Sequence, residues 1–242
     1  MSTLLSINRK WFVQLHGDHE LLEWLTSDRN SKDDLFIIED NGNFFMTSLD
    51  LEKLNSIEEV KEKSDGILEM INGIASFLFS TKGKLSSNSI SNRNESGGID
   101  CTVFAETCFI NISIPPPTII IENGDGTISK SSPLLSINQL LSDASKNVYK
   151  SKIFRLLAKG NLDWVMLYKL YEIIESEIGD NIYLWVSKNK IKNFKHTCNS
   201  VTATGDDSRH GKELTTPPKI PMTLKESQRF INLIIDRYLG SK

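Results

Sequence analysis

The spacing of apolar residues changes along the chain, and no fold built on a single period accommodates both parts. Before about residue 133 the apolar residues come mainly in short β-rich runs such as "KWFVQLHG", "LFIIEDNGNFFMTS" and "TIIIE", with two stretches of helical spacing between them. Beyond that point they recur every three or four residues. The sequence therefore predicts an α+β protein, with a mixed α/β N-terminal domain and a small antiparallel sheet in residues 1–132, and a helical C-terminal domain in residues 133–242. Charge changes sign at the same place. Residues 1–132 hold 11 Lys+Arg against 20 Asp+Glu, whereas residues 133–242 hold 17 against 11. A polar connector, "GDGTISKSSP", sits at the change and places the boundary near Pro133.

In the N-terminal part, the run ending at Gly17 predicts a strand, after which Asp18 caps a helix carrying Leu21, Leu22 and Leu25. Asn41-Gly42 between two β-rich runs predicts a tight hairpin, because both turn positions need positive φ. Ser56 and Glu59 form a capping box before a helix whose apolar stripe is Val60, Ile67, Ile71, Ile74 and Leu78. The Ser/Asn/Gly-rich residues 80–98 read as a long loop, and "IDCTVFAETCFINISI" and "TIIIE", on either side of Pro115-Pro116-Pro117, as two further strands.

The C-terminal part reads as four helices. Ser136 with Gln139 opens one that runs through Ile153 and Leu157 toward Gly160. Asn161 caps a second, from Trp164 to Ile178, and Asp180 starts a third through "NIYLWVSKNKIKNF". Thr223 with Glu226 opens the last. The loop expected between the third and fourth, Lys195 to Pro221, is 27 residues long. In a compact domain such a loop is usually functional or disordered.

That loop contains "HTCNSVTATGDDSRHGKE", which crowds two histidines, an arginine, a cysteine and two aspartates into a segment with little to bury. His196, Cys198, His210 and Asp206 or Asp207 are chemically adequate zinc donors, but their spacing matches no standard ligand pattern, so neither metal nor cofactor is expected. "HGDH" at His16–His19 reads as a solvated turn. Three cysteines without a CxxC pair argue for reduced thiols. No apolar run approaches the roughly 18 residues that cross a bilayer, and the N-terminus lacks the pattern of a signal peptide, so the expectation is no membrane and a cytoplasmic location. Gly-rich phosphate loops and RNA-binding aromatic signatures are missing from the sequence.

The runs "LDWVMLYKLYEIIESEIGD", "FKHTCNSVTATGDDSRHG" and "PPKIPMTLKESQRFINLIIDRYL" are similar to the C-terminal region of an uncharacterised bacterial protein family. More distantly, four helices with an Arg/His pair ahead of the last resemble the HEPN superfamily (higher eukaryotes and prokaryotes nucleotide-binding). That resemblance implies a HEPN-like bundle and a metal-independent ribonuclease of a toxin or antiviral system, with the arginine and histidine brought together at a homodimer interface. Superfamily members separate the two residues by four to six positions. Here Arg209 and His210 are adjacent.

Metal-free RNA cleavage needs a proton carrier near neutral pH, which histidine with its usual pKa of about 6.5 supplies, and a cation for the phosphorane. On this reading His210 is general base or acid, Arg209 stabilises phosphate, His196 is the second proton carrier, and Lys192, Lys195 and Asn199 contact substrate RNA. The second reading is a non-enzymatic interaction or assembly module, partnered by another copy or another protein, in which Arg209 and His210 tie down the loop. The sequence leaves both open.

Overall fold

The computed structural model describes residues 7–27, 35–79, 84–94, 98–104, 119–122, 128–131, 137–213 and 216–240. The chain divides into two compact units, Met1–Asp143 and Ala144–Lys242. Pro133, Ser136 with its expected capping box, Cys108 and the Pro115-Pro116-Pro117 stretch lie outside the described residues.

The first unit is built on a five-stranded antiparallel sheet. Its strands are β1 (Trp11–His16), β2 (Leu35–Asp40), β3 (Asn43–Ser48), β4 (Ser86–Arg93) and β5 (Ile99–Val103), in the order β2-β3-β1-β4-β5. Between β1 and β2 runs helix α1 (His19–Ser27), and β3 leads into the single turn α2 (Leu49–Glu52) and the long helix α3 (Ile57–Phe79). The central strand β1 is apolar on both sides: Trp11, Phe12, Val13 and Leu15 are all buried. Phe12 packs with Ile38, Phe45 and Ile99 on one face. On the other, Val13 pairs with Met46 and Ile90, and α3 lies over β4, where Ser87 Oγ donates to Asp65 at 3.4 Å. The amide of Asn72 grips the backbone of Leu85 in both directions, at 2.7 and 2.9 Å, and fixes where β4 begins beneath α3.

Local signals in this unit act as read. Asp18 accepts from the Leu21 N–H at 3.1 Å, and Ser56 and Glu59 close their capping box. Asn41 and Gly42 have φ of 53° and 77° at the β2–β3 turn. Residues 80–98, in contrast, are not one loop. Ser86–Arg93 is a strand hydrogen-bonded between β1 and β5. Its polar sequence hides this, because Ser87, Ser89 and Ser91 are small enough to be buried, and Ser87 and Ser89 are satisfied by donating to Asp65 at 3.4 Å and to Gln14 at 2.8 Å. The register steps from Gln14↔Ser89 to Leu15↔Ser87, so β4 bulges at Asn88. The polar connector also carries structure: Ile128–Ser131 (β7) pairs antiparallel with Ile119–Glu122 (β6).

Helix α4 (Ile137–Lys146) precedes a helical second unit made of α5 (Val148–Leu157), α6 (Trp164–Ile178), α7 (Lys188–Asn199), the single turn α8 (Val201–Thr204) and α9 (Leu224–Gly240), with 3-10 turns at Gly179–Leu184 and Gly205–Asp207. Helix boundaries depart from the reading wherever a second capping residue competes. The run expected to continue from Ile137 to Leu157 breaks at Asn147, an extended residue whose side chain accepts from Tyr149 and Lys150 N–H at 2.8 and 3.0 Å. Asp163, not Asn161, caps α6, with Asn161 bracing the cap carboxylate at 2.8 Å. The helix expected from Asp180 is a 3-10 turn, and Ser187 starts α7.

Candidate functional site

The expected loop of residues 195–221 is largely structured, since α7 extends to Asn199 and places Lys195, His196, Cys198 and Asn199 on a helix. One face of α7 is buried through Ile191, Phe194, Thr197 and Cys198. Phe194 lies against Tyr168, Tyr171 and Phe230, with ring centroids 6.2, 5.8 and 5.4 Å away. Burial therefore accounts for Cys198, whose thiol is pushed up to about 12 by desolvation although the Arg209 cation pulls the other way. A thiol held neutral in this way is a poor nucleophile and metal ligand.

A second face of α7 holds the chain that returns toward α9. Glu213 accepts from Ser200 Oγ at 3.1 Å and from Thr202 N–H at 2.8 Å; His196 Nε2 meets the Thr216 carbonyl at 2.5 Å; Asn193 donates to the Ile220 carbonyl at 3.1 Å. Ser200, His196 and Asn193 step along the helix by four and three residues, so their partners Glu213, Thr216 and Ile220 follow one another antiparallel to α7 as the rungs of a strap, one per turn. Met222 N–H completes it on Thr197 Oγ1 at 3.1 Å. The hydrogen bond from the Thr202 N–H, helped by Ser200 and the nearby His196, holds the Glu213 carboxyl below its ordinary value although desolvation pulls the other way.

Between α8 and the strap, residues 208–210 fold back onto α6 and α7. Arg209 N–H donates to the Cys198 carbonyl at 2.9 Å, its guanidinium lies 4.1 Å from the Tyr168 ring centre, and Nη2 pairs with Glu172 at 2.9 Å. Tyr168 and Glu172 are four residues apart on α6 and so offer an aromatic face and a carboxylate side by side. The same pattern recurs one turn on: Lys195 Nζ lies 5.2 Å from the Tyr171 ring and 3.4 Å from Glu175. Burial first, then the hydrogen bond to Glu175, drives the Tyr171 phenol far above its ordinary range. Two aromatic–carboxylate pairs on one helix thus receive two cations from the segment after it.

Of the residues expected at a site, Arg209 and His210 are brought together, with Nη1 and Nε2 3.4 Å apart. His196 turns to the strap and Lys195 to α6. Lys192 stays exposed, and the Asn199 amide oxygen is buried without a hydrogen-bond partner. The lysines Lys188, Lys190 and Lys192 occupy the first half of α7 rather than a helix C-terminus, so they add to the positive end of the helix dipole instead of offsetting the negative one. Among the described residues no three His, Cys, Asp or Glu side chains gather as metal ligands, and no helix is long and apolar enough to cross a membrane.

Sequence reasoning missed Tyr168, Glu172, Glu213 and Thr216. For the first two a signal was present, since "YKLYEIIE" repeats Tyr-x-x-x-Glu three residues apart. The strap carbonyls leave no trace in side-chain identity. The fold and this site define a two-unit α+β chain with a clasped C-terminal loop. Compared with protein-family models, curated proteins and solved structures, the chain matches none.

Proposed function

We infer that this protein is a non-enzymatic interaction module, and that the Arg209–His210 loop is structural, with Arg209 locking the segment after α7 onto the helical unit. The observation that carries this reading is the threefold engagement of Arg209, by Glu172, by the Tyr168 ring and by the Cys198 carbonyl. A guanidinium that is to stabilise a phosphorane must have its donors turned to the substrate. This one has a donor on a carboxylate. His196, the other proton carrier of the ribonuclease reading, has Nε2 on a backbone carbonyl.

The ribonuclease reading keeps one supporting observation, the 3.4 Å approach of Arg209 to His210. Purified protein incubated with RNA in EDTA separates the two. The interaction reading expects no cleavage, and it expects Arg209→Ala to lower the melting temperature while His210→Ala leaves it nearly unchanged. RNA cleavage that falls by about 10² or more in His210→Ala, in a protein that remains folded, would establish the ribonuclease instead.

A further inference from the structure

Two exposed helix faces carry opposite charge at the same spacing. On α3, Glu58, Glu62 and Asp65 fall at i, i+4 and i+7 and are exposed, and Glu69 extends the line at i+11. On α7, Lys188, Lys192 and Lys195 fall at i, i+4 and i+7, the first two exposed and the third half-buried. Residues so spaced line one side of a helix over about 10 Å of its axis. The units that bear the stripes are charged in the same sense: Met1–Asp143 has 11 Lys+Arg against 21 Asp+Glu, a balance of −10, and Ala144–Lys242 has 17 against 10, a balance of +7.

Apolar side chains border the basic stripe. Lys188 Nζ lies 4.7 Å from the Tyr183 ring centre, and the adjoining Leu184 is 81% exposed. Asn193, next to Lys192 in the chain, holds the carbonyl of Ile220, which is 80% exposed. Aliphatic side chains of this exposure contribute nothing to a phosphate backbone but add buried area against a protein, so the chemistry favours a protein partner over nucleic acid.

We propose that the chain self-associates, the acidic stripe of α3 in one copy lying along the basic stripe of α7 in a second copy. This names the partner of the interaction reading and rests on it, yet it does not depend on the Arg209 clasp. The contact is charge-dominated, and its strength follows ionic strength. Asp65 and Lys195 keep their pairings with Lys61 and Glu175, so the four outer residues, Glu58, Glu62, Lys188 and Lys192, supply the discrimination.

The test is the mass of the full chain by light scattering across a concentration series. Association is expected at about 50 mM salt and should weaken by about tenfold or more at about 500 mM. Lys188→Glu with Lys192→Glu, and separately Glu58→Lys with Glu62→Lys, should each leave monomers, and mixing the two variant proteins should restore a complex. Circular dichroism of each variant checks that its helices persist. A wild-type chain that stays monomeric at low salt, an association indifferent to both double substitutions, or a mixture that fails to combine overturns the proposal. Binding of an RNA oligonucleotide by the wild-type monomer, lost in the Lys188/Lys192 variant, would assign the basic stripe to nucleic acid and overturn it as well. RNA cleavage in EDTA with association intact would sink the interaction-only reading and leave this one standing.

Discussion

At Arg209 the balance between charge and shape can be estimated and tested. The ion pair with Glu172 is partly exposed, with side-chain accessibilities of 32% and 42%, and such a pair contributes about 0.5 kcal/mol. The ring contact with Tyr168 adds about 1 kcal/mol. Arg209→Ala should therefore cost about 1.5 kcal/mol, which for a chain of this size lowers the melting temperature by about 3–6 °C. Arg209→Lys keeps the charge but loses the planar stack and should fall between the two, as thermal unfolding of the three proteins will show. Cys198 gives an independent check. Buried, with its thiol near 12, it should resist alkylation in the native protein, whereas the exposed Cys101 reacts readily; peptide mass spectrometry reads both sites, and equal labelling would remove Cys198 from the interior. The sequence showed that Arg209 had a polar environment but not which one, because Glu172 lies 37 residues away and only the return of the chain onto α6 joins them.

At the scale of elements, most caps and turns with a single local candidate were legible, and interruptions and competing caps were not. Asp18, Asn41-Gly42, Ser56/Glu59 and Thr223/Glu226 act where they were read, since each signal is contained within four residues. β4 was missed because its stability comes from two neighbouring strands and from buried serines, neither of which appears in an apolar pattern. The helix broken at Asn147 was read as continuous because the apolar spacing persists across the cap. Two glycines allow a graded test. Gly42 has φ of 77° with open space around it, so Gly42→Ala should cost about 1 kcal/mol of backbone strain. Gly17 has φ of 135°, and an added Cβ would stand 2.2 Å from the Lys84 carbonyl oxygen, so Gly17→Ala should cost about 2 kcal/mol or more. Denaturant unfolding that ranks them the other way would contradict the account of how β1 gives way to α1. The strap has its own pH dependence. The Glu213 carboxyl lies below its ordinary 4.5 in the folded chain, so its contribution is complete above that value and is lost as the pH falls through the lowered one. Amide exchange at Thr202 should rise over that acid range relative to its intrinsic rate, and Glu213→Gln should abolish the change.

For the whole molecule, an acidic sheet-and-helix unit and a basic helical unit share one chain, and within the basic unit Arg209, His196 and Lys195 are engaged by Glu172, the Thr216 carbonyl and Glu175. That division by charge and by structural class was readable from composition and periodicity. The engagement of Arg209, His196 and Lys195 was not, because partners supplied by distant helices and by backbone carbonyls are set by the tertiary fold. The clasp is the central claim, and native-state amide exchange across residues 198–222 tests it most directly in wild type and in Arg209→Ala. The account predicts that Arg209, Thr202 and Met222 amides, which donate to Cys198, Glu213 and Thr197, are protected in wild type, and that Arg209→Ala accelerates Arg209's site and its neighbours by about tenfold while leaving α6 and α9 unchanged. Exchange at intrinsic rates throughout this segment in the wild-type protein, or protection that survives the substitution unaltered, would contradict it.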